Sequence, residues 1–150
     1  MAKKLKTSKI VAGEMERALS DLEDCIIKRI NAGNIPPALK PETVERKGHD
    51  KTLLDSTALL GSIHHKITVT GKEVIGFVGV MDAAVEEYAW TQEYGFPMDF
   101  ESTTSNTNQK IPTRSYLRVP YDENIDRISS KFEQRVGDKL IAEMTAKKRK

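Results

Sequence analysis

The chain of 150 residues contains a single cysteine, Cys25. It can form neither an internal disulfide nor a cysteine-based zinc cluster, and its composition fits folding in a reducing cytoplasm. No apolar run approaches the roughly 20 residues that cross a bilayer, so no membrane contact is expected. Lysines near the start are not followed by an apolar stretch, and Met1 to Ile10 is not expected to act as a secretory signal. No nucleophile elbow, Gly-rich phosphate loop or histidine-based triad pattern is present. Together these absences predict no catalytic residues, no cofactor and no metal.

What the chain does have is charge and helical periodicity. Hydrophobic residues make up 38% and charged residues 31%, enough for one buried core under a polar surface. One domain over 1–150 is expected. Its net charge of +2 hides an asymmetry. Lys3, Lys4, Lys6 and Lys9 lie at one end, and Lys147, Lys148, Arg149 and Lys150 at the other. Subtracting those eight charges from +2 leaves −6 for the body. The basic ends, 1–8 and 145–150, read first as solvated flexible ends. Their alternative use is contact through Lys147, Lys148, Arg149 and Lys150 with an acidic surface or, without sequence preference, with DNA.

Ser8 to Ala32 shows the stripe of a long amphipathic helix, with Val11, Met15, Ala18, Leu22, Ile26 and Ile30 at helical spacing and Leu19 and Ile27 widening it. Gly33 and the pair Pro36-Pro37 stop it. Pro41 to Lys47 predicts a short helix ending at Gly48. Asp55 or Ser56 can cap another, running to about Leu60 and docked by Leu59, Leu60 and Ile63. Ile63 to Thr70 alternates like a strand, and Val74 to Val80 completes an antiparallel hairpin. Ala83 to Tyr94 reads as a helix ending at Gly95. The polar stretch 96–110 is too long for a plain connector, and such loops are usually functional. Arg114 to Val119 is expected to be a further strand closed by Pro120, and Asp122 to about Met144 the second long helix. Its stripe is Ile125, Ile128, Phe132, Val136, Leu140, Ile141 and Met144. The expected architecture is α+β: two long amphipathic helices packed on a small, mainly antiparallel sheet, with short extra helices.

Three groups merit weighing as chemistry. His64 and His65 are neighbours on a strand and face opposite sides, so they cannot chelate one metal together. One is expected to turn inward or to an interface, the other outward. Asp82, Glu86, Glu87 and Glu93 form an acidic cluster, with Glu86 and Glu93 on one helix face. A carboxylate pair can serve acid–base work or hold a cation, but a solvated acidic face is the stronger reading. Five of the nine aromatic residues, Tyr88, Trp90, Tyr94, Phe96 and Phe100, fall in one short stretch. They divide between a core cluster and partly exposed rings of the kind enriched at protein interfaces. Gly76 and Gly79 inside a strand pattern point to a bulge or a close backbone approach.

Five pieces in order carry a family resemblance. They are PPALKPETVERKG (Pro36 to Gly48), KTLLDSTALLGSI (Lys51 to Ile63), VGV (Val78 to Val80), YAWTQEYG (Tyr88 to Gly95) and IPTRSYLR (Ile111 to Arg118). In this order and spacing the chain resembles the bacteriophage virion morphogenesis and tail-completion proteins, which join heads to tails. The likeness covers about Ile35 to Arg118. Thr113 and Ser115 stand where that family has alanine and proline around the arginine, and Thr57 stands where glycine is common. The resemblance implies a structural ring subunit, a hexamer or a dodecamer, at the neck or upper tail of the virion, assembled in the bacterial host cytoplasm. Its implied neighbours are head-side connector proteins or tail terminator, tube or sheath proteins. The residues expected at subunit or partner contacts are Trp90, Glu93, Tyr94, Phe100, Glu101, Asn106, Lys110, Arg114 and Tyr116. The loop 96–110 is expected to reach a neighbouring subunit or the central channel. The competing reading is a nonspecific nucleic-acid-binding module that uses the basic ends.

Overall fold

The structure is a computed structural model that describes residues 2–53, 57–71, 73–95 and 111–148, with the backbone alone for 2–6, 147 and 148. Seven elements follow in order: α1 (Ala2–Ala32), α2 (Pro41–Lys47), α3 (Thr57–Ser62), β1 (Ile63–Val69), β2 (Val74–Val80), α4 (Ala83–Tyr94) and α5 (Arg118–Lys148). Two long helices pack on a two-stranded antiparallel sheet, an α+β arrangement. α1 lies directly on the hairpin, and α5 runs antiparallel along α1. The direction is fixed by cross-helix pairs: Arg29 Nε donates to Ser115 O at 3.0 Å, and Lys139 Nζ lies 2.5 Å from Glu14 Oε1. α1 begins at Ala2 rather than Ser8, and α5 extends to Lys148 rather than Met144. Both ends that the sequence suggested to be loose therefore continue the helices as far as the described residues reach.

The hairpin register pairs Ile63 with Val80, His65 with Val78 and Ile67 with Gly76. Those residues share the face turned to α1, because directly opposed residues point the same way. The other face carries His64, Lys66, Ile75 and Phe77 and is exposed. Gly76 allows the helix to come close: a Cβ there would sit 2.6 Å from Leu19 Cδ1 and 3.1 Å from Met15 Cγ. The close approach expected of this glycine is thus a helix–sheet contact.

The core joins Leu22, Ile26 and Ile30 of α1 to Ile35, Leu53, Leu59, Ile63, Val85, Ala89, Tyr116 and Ile128. Leu59 and Ile63 dock as the sequence suggested, with Leu60 partly buried. Thr52 ties the turn after α1 to the segment before α3. Its hydroxyl donates to Gly33 O at 3.1 Å and accepts from Ile35 N at 3.0 Å. α2 starts at Pro41, and Gly48 ends it by donating to Val44 O at 2.8 Å. The expected caps Asp55 and Ser56 lie outside the described residues.

Two expectations need correction. Arg114 to Val119 is not a strand: after a one-residue bridge at Ile111 the chain runs irregularly and enters α5 at Arg118. The amide donors that a strand would have used are taken by a carboxylate of α4, as described below. Pro120 sits inside the first turn of α5, where its missing N–H leaves no intrahelical bond unmade. Ile141 and Met144 are also not part of the buried stripe of α5, being 64% and 66% exposed.

Candidate interaction surfaces

α4 organises the residues that the sequence singled out. Asp82 caps it, its carboxylate accepting from Ala84 N at 2.9 Å. Three sides of the helix then meet different surroundings. Val85, Ala89 and Glu93 are buried, Trp90 and Tyr94 face outward, and Tyr88 and Gln92 line a cleft.

Glu93 was expected at a partner contact, and the structure overturns this. The side chain is buried, and its carboxylate accepts four hydrogen bonds. Backbone amides donate from Tyr116 at 2.8 Å, Leu117 at 2.9 Å and Arg118 at 3.1 Å, and the Ser115 hydroxyl donates at 2.6 Å. These amides stand at the start of α5, where the first donors of a helix have no intrahelical partner and the helix dipole favours negative charge. Glu93 is therefore a cap supplied from one helix to another. It makes no pair with Glu86, which is exposed, because the start of α5 covers only the last turn of α4.

Tyr116 is likewise corrected, from partner contact to core. It is fully buried and its hydroxyl donates to Ala89 O at 3.3 Å. Burial pushes its phenol well above the ordinary tyrosine range, and the nearby Glu93 charge adds to this.

Trp90 and Tyr94 do sit at the surface, 56% and 60% exposed. One helical turn apart, their rings pack at a centroid distance of 5.2 Å and a tilt of 45°, a geometry that aromatic pairs favour. They form an aromatic ridge along α4. A shallow pocket of about 200 Å³ runs beside Tyr94, with Val78, Leu117 and Tyr121 among its walls. The exposed outer face of the hairpin adds Ile75 and Phe77 as a second apolar surface.

Arg114 lies in the cleft between α2 and α4. Its backbone amide donates to Gln92 O at 2.6 Å and its Nε to Pro37 O at 3.3 Å. The Gly95 turn allows this: with φ at 74°, a Cβ at Gly95 would lie 2.9 Å from Thr113 Oγ1 and 3.0 Å from Ile111 O. Burial lowers the Arg114 pKa below the usual arginine value. The cleft has a volume of about 510 Å³ and is also lined by Lys40, Arg46, Lys47 and Tyr88. This basic groove escaped the sequence reading, although Lys40, Arg46 and Lys47 bracket a helix marked by Pro41 and Gly48. Phe100, Glu101, Asn106, Lys110, Arg149 and Lys150 lie outside the described residues, as does the loop 96–110. Lys147 and Lys148 are placed by backbone only, at the end of α5.

The histidine pair divides as the strand predicts, His64 outward and His65 inward. His65 Nε2 lies 3.0 Å from Glu16 Oε1, and its Nδ1 makes a short contact with Glu23 Oε2. With a carboxylate at each ring nitrogen, only the doubly protonated imidazolium satisfies both. The hydrogen bond to Glu16, then that to Glu23, raises the His65 pKa. The ring acts as a clasp between the hairpin and α1. Among the described residues no histidine, cysteine or carboxylate group is arranged to hold a metal ion, and no helix is long and apolar enough to cross a membrane.

No protein-family model, curated protein or solved structure matches the chain.

Proposed function

We propose that this chain is a structural subunit of a tailed-phage neck, a tail-completion or head–tail joining protein that assembles as a ring at the top of the tail. The ring is a hexamer or a dodecamer, set between head-side connector proteins and the tail terminator, tube or sheath, and it resides in the virion after assembly in the host cytoplasm. The chain acts by binding, not by catalysis.

The observation that carries this reading is the pair of separate apolar surfaces on unlike elements. One is the aromatic ridge of Trp90 and Tyr94, and the other is the outer hairpin face with Ile75 and Phe77. A cyclic ring joins two different surfaces of each subunit, so every subunit must present both. Exposed aromatic clusters suit the centre of such contacts. The ordered motifs from Pro36 to Arg118 supply the family in which the contact is read. The test is imaging of the purified protein beside Trp90→Ala and Phe77→Ser. Rings with a central channel are expected for the native chain. Each variant should stay folded and lose them. Rings that survive both substitutions would assign the contact elsewhere, and the absence of rings from the native chain would refute the proposal.

Nonspecific nucleic-acid binding is a second reading, and one placement favours it. Because α1 and α5 are antiparallel, the start of α1 and the end of α5, each lysine-rich in sequence, lie at the same tip of the helix pair. Converging positive charge strengthens attraction to phosphate and makes it salt-dependent. Binding to duplex DNA that is unchanged after removal of both lysine clusters would exclude this reading.

A further inference from the structure

The cleft between α2 and α4 gathers four cations, Lys40, Arg46, Lys47 and Arg114, and among the described residues no carboxylate lines it. Like charges brought together around a volume of about 510 Å³ repel one another, and the repulsion grows where water is excluded. Arg114 bears most of this cost. It is half-buried, its Nε is spent on Pro37 O, and no carboxylate pairs with its guanidinium among the described residues. Lys40 and Arg46 likewise have no ion-pair partner there. Burial lowers the Arg114 pKa, and the nearby Tyr88 hydroxyl opposes this only in part. A guanidinium held in place by its Nε presents its two remaining nitrogens as a fork, the geometry that accepts a carboxylate through two parallel hydrogen bonds.

We propose that this cleft is a docking site for an acidic, partly apolar peptide segment of a partner protein, with its carboxylates on Arg114 and Arg46. Leu39, Leu53 and Pro112 contribute apolar lining beside the cations, which matches a segment that alternates acidic and apolar side chains. The volume falls in the range of pockets that enclose small ligands or single side chains, too narrow to seat a nucleic-acid duplex. Among the described residues Tyr88 is the only aromatic ring in the lining, whereas single strands are held by successive stacking rings. The cleft takes such a segment whether or not the chain forms rings, so its test does not depend on assembly.

The test is fluorescence anisotropy of the full chain with three labelled probes. They are a peptide alternating glutamate and leucine, the same peptide with glutamine for glutamate, and an oligothymidylate of equal length. The glutamate peptide should bind about tenfold or more tightly than its glutamine version, as loss of charge-assisted hydrogen bonds implies. Arg46→Glu should weaken it by at least about tenfold, with circular dichroism unchanged because Arg46 lies on the exposed side of α2. Arg114→Gln should weaken it similarly. No measurable binding of the glutamate peptide, equal binding of the glutamine peptide, or affinity indifferent to Arg46→Glu would each overturn the proposal. So would tighter binding of the oligothymidylate that is lost in Arg46→Glu, which would make the cleft a phosphate site.

Discussion

Glu93→Ala should be among the most damaging single substitutions in this protein, because Glu93 is buried inside the subunit. The change strips three backbone amides and the Ser115 hydroxyl of their common acceptor. A hydrogen bond to a charged group contributes about 1.5–3 kcal/mol net. Four such bonds do not add in full, because water can reach the partly exposed amides of Leu117 and Arg118 once the carboxylate is gone. The Tyr116 amide belongs to a fully buried residue and has no such recourse. The expected loss is about 3–5 kcal/mol, a large share of a total stability of roughly 5–15 kcal/mol. In melting temperature this is a fall of about 6–20 °C for a chain of this size. Glu93→Gln keeps one acceptor oxygen but aims an amide N–H₂ at backbone donors, and should cost about 1–3 kcal/mol. Urea unfolding followed by far-UV circular dichroism measures both. If Glu93→Ala unfolds within about 0.5 kcal/mol of the native chain, a range typical of surface substitutions, the capping account is wrong. If Glu93→Gln keeps full stability yet changes self-association, Glu93 is a contact residue after all.

Other predictions concern the joints between layers. His65 has a raised pKa in the folded state, so its contribution is complete below about pH 6.5, the value for an unperturbed histidine. It is lost as pH rises through the higher folded value. The urea midpoint should therefore fall as pH rises above that window, and His65→Gln should flatten the trend; a native chain with a flat profile would remove the clasp. Glu14 is wholly shielded between α1 and α5, and its pKa is lowered, chiefly by the hydrogen bond from Lys139. Lys139→Met should cost about 1–3 kcal/mol by leaving a shielded carboxylate with only Arg17 and the charge of Arg135 to offset it, whereas Glu14→Leu should be close to neutral. The opposite ranking in thermal melts would show that the pair is not shielded as described. Gly76→Val should cost about 1–3 kcal/mol by pressing on Leu19 and Met15, and an unchanged urea midpoint would mean that α1 and the hairpin are less closely seated.

Periodicity and punctuation revealed most of the fold, because they report local forces. The stripe Leu22, Ile26, Ile30 and the stops at Gly33, Gly48 and Gly95 were legible since each residue acts within its own element. The hairpin from Ile63 to Val80 was legible for the same reason. The segment from Arg114 to Val119 misled because its pattern suits a strand, while its amides answer to Glu93, more than 20 residues earlier. Ile141 and Met144 misled because apolar character alone does not say which side of α5 meets α1. At the candidate surfaces, Trp90 and Tyr94 are exposed, as the expected contact requires. Glu93 and Tyr116 are not, and only packing reveals that α5 starts on top of them. The basic cleft was invisible because α2 and α4 bring together residues whose sequence neighbours include Glu42, Glu45, Glu86 and Glu87, and charge read along the chain averages to nothing there.

The claim that bears most on function is that copies of this chain close into a ring, and native mass spectrometry of the purified protein tests it most directly. A subunit of 16.8 kDa predicts species of about 101 kDa for six copies or about 202 kDa for twelve. A mass of 16.8 kDa at every concentration, in keeping with a lone subunit, would contradict the ring.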